Sequence, residues 1–216
     1  VNGTLEYKYN GSTTGTGMGI VYNQDGQPTK TNKANVKLNN ATNTTGGMIG
    51  LYTTAGTGNT FINQGDITGT SSALEFGIVS NGADVINDAG HKIKLGNATA
   101  QANANVGIYS KAKNKTVNKG AITVGDNAIG IYGYDVDNEN GALIKAGDNG
   151  VAIYTHDTGT NVNLNSGSTI TLGGNQAVGV YAVGSNQNLN ANAGATMNIG
   201  DNSFGFVDAG TGNTVT

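Results

Sequence analysis

The residues best suited to metal chemistry in this sequence form one short acidic run. It reads Asp135-Val136-Asp137-Asn138-Glu139, and oxygen ligands at alternate positions suit a hard cation such as Ca²⁺. The run lacks a twelve-residue calcium loop, and the glycine–aspartate nonapeptide of calcium-binding β-rolls is also absent. We therefore interpret the run as a solvated acidic loop, and we predict no metal site and no cofactor.

Two histidines are the other candidates for catalysis. His91 and His156 fall in different repeats and at different phases of the repeat described below, and we expect both to be solvated. Lyases and hydrolases built on parallel β-helices need clustered carboxylates on adjacent coils of one face. Of the eight residues that follow the recurrent tyrosine motif, only Asp208 is acidic. The pattern predicts a protein that is not an enzyme.

Charge and composition narrow the classes of partner. The 216 residues include 11 lysines, no arginine and no cysteine, and the formal net charge is −3. This balance gives no electrostatic footprint for nucleic acid, and we predict no nucleic-acid partner. Lysines 111, 113, 115 and 119 lie one repeat before the acidic run. We interpret them as a solvated face, where pairing with those acids would contribute little.

A repeated tyrosine motif organises the chain. The motif is apolar-Gly-apolar-Tyr, and its eight copies are separated by 22 to 31 residues. Its central small residues are Gly19, Gly50, Gly77, Gly107, Gly130, Ala152, Gly179 and Gly205. Each copy is followed by an apolar-x-Asn segment, such as Phe61-Ile62-Asn63, and by an alternating segment, such as Ile122-Thr123-Val124. Three short strands per repeat are typical of one coil of a solenoid.

The composition supports the same fold. Counting the sequence gives 36 Gly, 32 Asn and 27 Thr but one Pro, a composition that opposes helix and favours strands and turns. We predict an all-β, right-handed parallel β-helix (β-solenoid) of about eight coils of roughly 27 residues, with residues 1–216 forming a single segment. Leu5–Tyr9 and Asn213–Val215 are expected to be a third and a second strand, so the chain is predicted to be a fragment of a longer array. Gln24–Ala34, which contains Pro28, is expected to form a protruding loop.

Alternation along the strands predicts which side chains face the core. In the motif Ile129-Gly130-Ile131-Tyr132, we expect both isoleucines to point inward and the other two residues to point outward. Ile170 and Leu172 should likewise point inward, with Thr171 outside. Residues at equal positions stack about 4.8 Å apart, so Asn63, Asn118 and Asn165 are predicted to form an amide ladder.

Tyrosines at the end of the motif are predicted to form an outward column. The column contains Tyr22, Tyr52, Tyr109, Tyr132, Tyr154 and Tyr181, with Val79 and Val207 in the remaining copies. One interpretation is structural, since stacked rings stiffen a sheet by roughly 0.5–1.5 kcal/mol per pair. The other is a binding face for glycan rings or a partner protein, because tyrosine is favoured at interfaces. Tyr109, Tyr132, Tyr154 and Tyr181 are the candidate binding residues.

The coils rich in Gly-Ile-Tyr, Asn-x-Gly and Gly-Asp-Asn resemble a known group. The resemblance spans residues 18–216 and is to the passenger region of bacterial type V autotransporter adhesins, especially the large fusobacterial outer-membrane adhesins. It implies a secreted, extracellular virulence factor displayed on the cell surface. The only contact with a membrane would be an outer-membrane anchor, a C-terminal barrel outside this sequence.

Two main functions remain open at this point, and a phage tail-spike rod, which would usually form a trimer, is a third option. The first is a non-catalytic adhesin segment that attaches to a protein or glycan on host cells or other bacteria, or the stalk that displays the binding region. The alternative is a carbohydrate-active β-helix enzyme, resembling a polysaccharide lyase or hydrolase, with its catalytic coils outside this fragment. Clustered acids in flanking coils would favour the enzyme.

Overall fold

The computed structural model describes residues 3–8, 15–24, 26–39, 46–69 and 74–216. Tyr9 and Asp25, which the sequence analysis placed in a strand and in a loop, lie outside the described residues. The described chain forms three sheets of eight parallel strands. They wind into a β-solenoid of about seven turns of about 27 residues, so the predicted all-β fold class is confirmed.

Each coil contributes one strand to every sheet. The first sheet holds the tyrosine motif and contains β2 (Thr16–Tyr22), β5 (Gly47–Thr53), β8 (Glu75–Ser80), β11 (Val106–Ser110), β14 (Ile129–Gly133), β17 (Val151–His156), β20 (Val178–Val183) and β23 (Phe204–Asp208). The second sheet contains β3 (Thr29–Asn32), β6 (Thr60–Asn63), β9 (Asp84–Asn87), β12 (Lys115–Asn118), β15 (Asp135–Asn138), β18 (Asn161–Leu164), β21 (Asn188–Ala191) and β24 (Thr214–Val215). The third sheet contains β1 (Gly3–Lys8), β4 (Ala34–Asn39), β7 (Ile67–Gly69), β10 (Lys92–Lys94), β13 (Ala121–Val124), β16 (Leu143–Ala146), β19 (Thr169–Leu172) and β22 (Thr196–Asn198). As predicted, β1 is a third strand and β24 a second strand. In the described part of the chain one short 3₁₀ helix, Gln101–Asn103, interrupts the strands.

The core consists of columns of branched aliphatic side chains that repeat from coil to coil. In the third sheet one buried column contains Val36, Ile67, Ile93, Ile122, Ile144 and Ile170. In the first sheet another contains Leu51, Ile78, Ile108, Ile131, Ile153 and Val180. Each such side chain contributes about 1.5–3 kcal/mol when fully buried. A single coil has nothing to cover this face, so the coils are stable only when stacked.

The first sheet departs from simple alternation. Ile131 is buried as predicted, but Ile129 lines a surface groove beside Tyr154. A Cβ added to Gly130 would lie 2.9 Å from Cγ2 of the buried Ile144 and 2.5 Å from the carbonyl oxygen of Ala152. Gly130 therefore faces the interior, and the prediction of an inward Ile129 and an outward Gly130 was wrong. Two consecutive inward positions place Ile129 and Tyr132 on the same outer face.

The insertion near Pro28 is also more regular than predicted. The second half of Gln24–Ala34 contains β3, which pairs with β6, and Ala34 begins β4 and is buried. The side chain of Gln24 is buried and accepts a hydrogen bond from Thr53 at 2.5 Å. The prediction of a loop protruding over the whole of Gln24–Ala34 was therefore wrong.

A buried amide ladder runs along the second sheet. The ladder contains Asn32, Asn63, Asn87, Asn118 and Asn138, all with no exposed surface. In this order, Nδ2 of each of the first four donates to Oδ1 of the next asparagine, at 2.8, 3.1, 3.0 and 2.9 Å. Leu164 takes the next position in register, so the predicted membership of Asn165 was wrong. Asn165 instead accepts a hydrogen bond from Asn192 at the surface.

Candidate functional site: a tyrosine ladder and the groove beside it

Four stacked tyrosines form the centre of the outer face of the first sheet. Consecutive ring centroids of Tyr109, Tyr132, Tyr154 and Tyr181 are 4.9, 4.9 and 5.4 Å apart, and the ring planes differ by 18°, 11° and 17°. We call these four residues the tyrosine ladder. All four are half-buried. Because each ring covers the face of its neighbour, the outward surface of the ladder consists of ring edges and hydroxyl groups.

The column does not extend to Tyr22. Val21 pairs with Tyr52 in register, whereas Tyr22 pairs with Thr53. The ring of Tyr22 packs 5.1 Å from the ring of Phe61, and its hydroxyl donates to Oδ1 of Asn32 at 2.7 Å. The predicted place of Tyr22 in the outward column was therefore wrong. Its motif carries one extra residue between the glycine and the tyrosine, and this signal was readable in the sequence.

Tyr52 belongs to the column but not to the ladder. Val79 separates it from Tyr109 in register. The ammonium group of Lys111 lies 5.5 Å from the centre of the Tyr52 ring, within range of a cation–π contact. At the other end of the ladder, Val207 pairs with Tyr181 in register, so the stack of aromatic rings ends there too.

His156 was predicted to be solvated, but that prediction was wrong because the side chain packs against the ladder. Its ring centroid is 4.4 Å from that of Tyr134 and 4.9 Å from that of Tyr132. Its Nε2 atom is buried and has no hydrogen-bond partner in the described chain. Burial lowers the pKa of His156, and the carboxylate of Asp157 partly opposes that shift. The ring therefore acts as an aromatic neighbour of the tyrosines.

Burial also raises the pKa of two ladder tyrosines. For Tyr132 the main cause is burial, and Tyr109 and Tyr154 add to it. For Tyr154 burial again comes first, followed by Tyr181. The hydroxyl groups at the centre of the ladder therefore remain neutral at physiological pH, where they can donate and accept hydrogen bonds.

A groove of about 380 Å³ lies beside the ladder. Its base is an apolar row of Ile129, Val151 and Val178, which are paired in register in consecutive coils. Tyr154 and Tyr181 line one side of the groove. Two of the four candidate binding tyrosines thus contact the groove, while Tyr109 and Tyr132 do not line it.

Amide side chains form the opposite bank of the groove. Asn127 and Asn149 belong to the Gly-Asp-Asn turns that precede β14 and β17, and they adopt φ values of 55° and 53°. Asparagine tolerates this left-handed backbone better than most residues. The turn, the apolar row and the tyrosine ladder therefore lie side by side across three successive coils.

The insertion at residues 96–105 completes this side of the groove. We call Gln101, Asn127 and Asn149 the amide bank. It carries the 3₁₀ helix Gln101–Asn103, and Gln101 and Ala104 line the groove. Nε2 of Gln101 donates to the carbonyl oxygen of Asn149 at 2.9 Å. These groove residues were not predicted from the sequence. The one available signal was the length of the segment between β10 and β11, which exceeds the short turns at the same place in later coils.

The acidic run lies in a strand and not in the predicted solvated loop. Asp135–Asn138 is β15, and Asp137 is only 7% exposed. The Asp137 carboxylate accepts from Nζ of Lys115 at 2.5 Å and from Nδ2 of Asn163 at 2.7 Å. Its oxygen atoms are therefore engaged with side chains of neighbouring coils. Among the described residues no group of three or more His, Cys, Asp and Glu side chains is placed to hold a metal ion.

Comparison with known proteins finds no matching family model, no matching curated protein and no matching solved structure. Within the described ranges, no helix has the length and apolar character needed to cross a membrane.

Proposed function

We propose that this chain is a non-catalytic segment of a bacterial surface adhesin, which attaches to host cells or other bacteria through the outer face of its first sheet. The observation that carries the proposal is the tyrosine ladder together with the adjoining groove. Half-buried tyrosines and apolar side chains there form one continuous surface over several coils. Tyrosine contributes large contact area and a polar hydroxyl, which suits protein and glycan partners.

The architecture supports an adhesive role. Backbone hydrogen bonds between coils hold the ladder on a rigid sheet, so little side-chain entropy is lost when a partner binds. An elongated solenoid also presents its binding face at a distance from its anchor. The resemblance of the repeats to type V autotransporter passengers supports export and display at the outer membrane, with the chain in the extracellular medium.

Attachment of coated beads tests the proposal. Fluorescent beads that carry the purified chain should bind to epithelial cells or to bacteria in a saturable way, and excess soluble chain should compete. Beads coated with Y154F/Y181F test the face itself, because this change removes two hydroxyl groups and keeps the ring stacking. Y7F is a matched control. It also removes a tyrosine hydroxyl, but this hydroxyl lies away from the ladder, where it donates to the carbonyl oxygen of Gly19.

Two outcomes separate the alternatives. Reduced attachment by Y154F/Y181F beads but not by Y7F beads would support adhesion through the ladder. No attachment above that of bare beads would contradict an adhesive role for this segment and would leave the stalk function.

A further inference from the structure

We propose that the groove binds a short, uncharged oligosaccharide. This inference rests on the proposed adhesive function and names the chemical class of its partner. The groove volume of about 380 Å³ falls within the range of roughly 300–1,000 Å³ that is usual for small-molecule sites. Such sites combine apolar walls with a few well-placed polar groups, and this groove has both.

The apolar row matches one surface of a sugar ring. Ile129, Val151 and Val178 present aliphatic surface in consecutive coils. The axial C–H groups of a pyranose ring form an apolar patch that can cover such a row. Successive rings of an extended oligosaccharide would then follow the solenoid axis, along which the row repeats at about 4.8 Å per coil.

The amide bank can form hydrogen bonds with the hydroxyl groups of a sugar. The side-chain amide of Asn149 makes no hydrogen bond within the described chain, while Nδ2 of Asn127 donates to the carbonyl oxygen of Ala98 at 3.0 Å. Oδ1 of Asn127 and Oε1 of Gln101 are left as acceptors. A primary amide offers both donors and an acceptor, which is the pattern that adjacent sugar hydroxyl groups require.

The charge of the groove selects the class of sugar. All ten residues that line it are uncharged. A sialic acid, uronate or sulfate group seated there would lose water without gaining an ionic partner. Charge complementarity therefore favours neutral sugars. A nucleotide or an anionic lipid headgroup is disfavoured for the same reason.

The bank is held in place before any ligand binds. The bond from Gln101 to the carbonyl oxygen of Asn149 links the insertion to a turn 48 residues further along the chain. The row and the ladder are both fixed by sheet register. Such preorganisation reduces the entropy lost on binding.

Glycan arrays and NMR titration test the proposal. The full chain should bind neutral oligosaccharides in preference to their sialylated and sulfated forms, and a bound neutral glycan should shift the amide signals of β14, β17 and β20. N149G removes the free amide but keeps a residue that tolerates a φ of 53°. V151F fills the base of the groove. Each change should raise the Kd at least about tenfold.

Matched variants control for stability. N202G changes the equivalent asparagine of the Gly200-Asp201-Asn202 turn, where φ is also 53°, and V207F enlarges a side chain beyond the end of the ladder. Both should leave the Kd within about twofold of the parent value, with the β-type circular dichroism spectrum retained in all four variants.

Three results would overturn the inference: no neutral glycan binds, charged glycans bind better, or N149G and V151F bind as well as their controls. Bead attachment without neutral-glycan binding would remove this inference and leave the adhesin proposal in place. Neutral-glycan binding in the groove by beads that attach to no cell would support this inference and contradict the adhesin proposal.

Discussion

The side-chain amide of Asn87 donates a hydrogen bond to Oδ1 of Asn118 at 3.0 Å, and both residues are completely buried. Asn87 also accepts from Nδ2 of Asn63 at 3.1 Å. Identical amides, hydrogen-bonded from coil to coil, thus occupy buried positions that would otherwise belong to aliphatic side chains. Every member must be present, because a buried amide without its partner costs free energy.

Replacement of Asn87 by leucine should therefore destabilise the chain by about 2–4 kcal/mol, since two buried amide groups each lose one partner. Asn138→Leu provides the comparison, because the next coil already has Leu164 at this position and only Asn118 loses a ladder partner. We expect a cost of about 1–2 kcal/mol there. Urea denaturation measures both, and equal costs would contradict the ladder as a cooperative unit.

The tyrosine ladder should contribute measurably to stability. Y132S/Y154S removes all three stacked contacts, each worth roughly 0.5–1.5 kcal/mol, so the melting temperature should fall. Tyr52→Ser is the control, since Tyr52 has aliphatic neighbours in register and a lysine over its ring. A double variant that melts at the parent temperature would show that stacking contributes nothing, and the ladder would then serve binding alone.

The assignment of faces is tested by two acidic substitutions. Ile131→Asp places a carboxylate in the core without a partner, and we expect loss of the β spectrum at 25 °C or a large fall in stability. Thr123→Asp lies on the outer face between Lys94 and Lys145 in register, so its effect should stay within about 0.5 kcal/mol. Similar effects of the two changes would contradict the assigned faces.

His156 should make stability depend on pH. Burial among the tyrosines lowers the pKa of His156 in the folded chain, whereas an unfolded chain takes up the proton near pH 6.5. Its contribution is therefore fully present above about pH 6.5 and is lost as the pH falls below that value. His156→Phe keeps an aromatic ring and should flatten the acid side of the stability profile. A parent-like profile for His156→Phe would disprove this source.

The sequence predicts the fold well because each strand carries its own pattern. Ile122-Thr123-Val124 alternates with period two, so its inner and outer residues could be assigned before the structure was known. Gly130 and Ile131 could not, because both face inward and two consecutive inward residues break the period of two. For that reason the outward position of Ile129 was missed, and the groove was missed with it.

The candidate site was likewise predictable from the sequence only in part. The tyrosines recur at one repeat position, and their stacking follows from strand register. The amide bank depends on how the insertion at residues 96–105 folds back onto the Asn149 turn, a contact between segments that are far apart in the chain. No periodicity in the sequence encodes such a contact.

The end of the amide ladder at Asn138 has a mechanical consequence. Four side-chain bonds connect the coils from Asn32 to Asn138, and they run along the solenoid axis, parallel to the backbone bonds between coils. A pull along that axis loads these amides in tension together with the sheets. Beyond Asn138 the positions in register are Leu164 and Ala191, and the amide bonds between those coils, from Asn188 to Asn161 and from Asn190 to Asn163, are only partly buried. Because water competes with exposed hydrogen bonds, the coils after residue 138 should unfold first when the molecule is stretched.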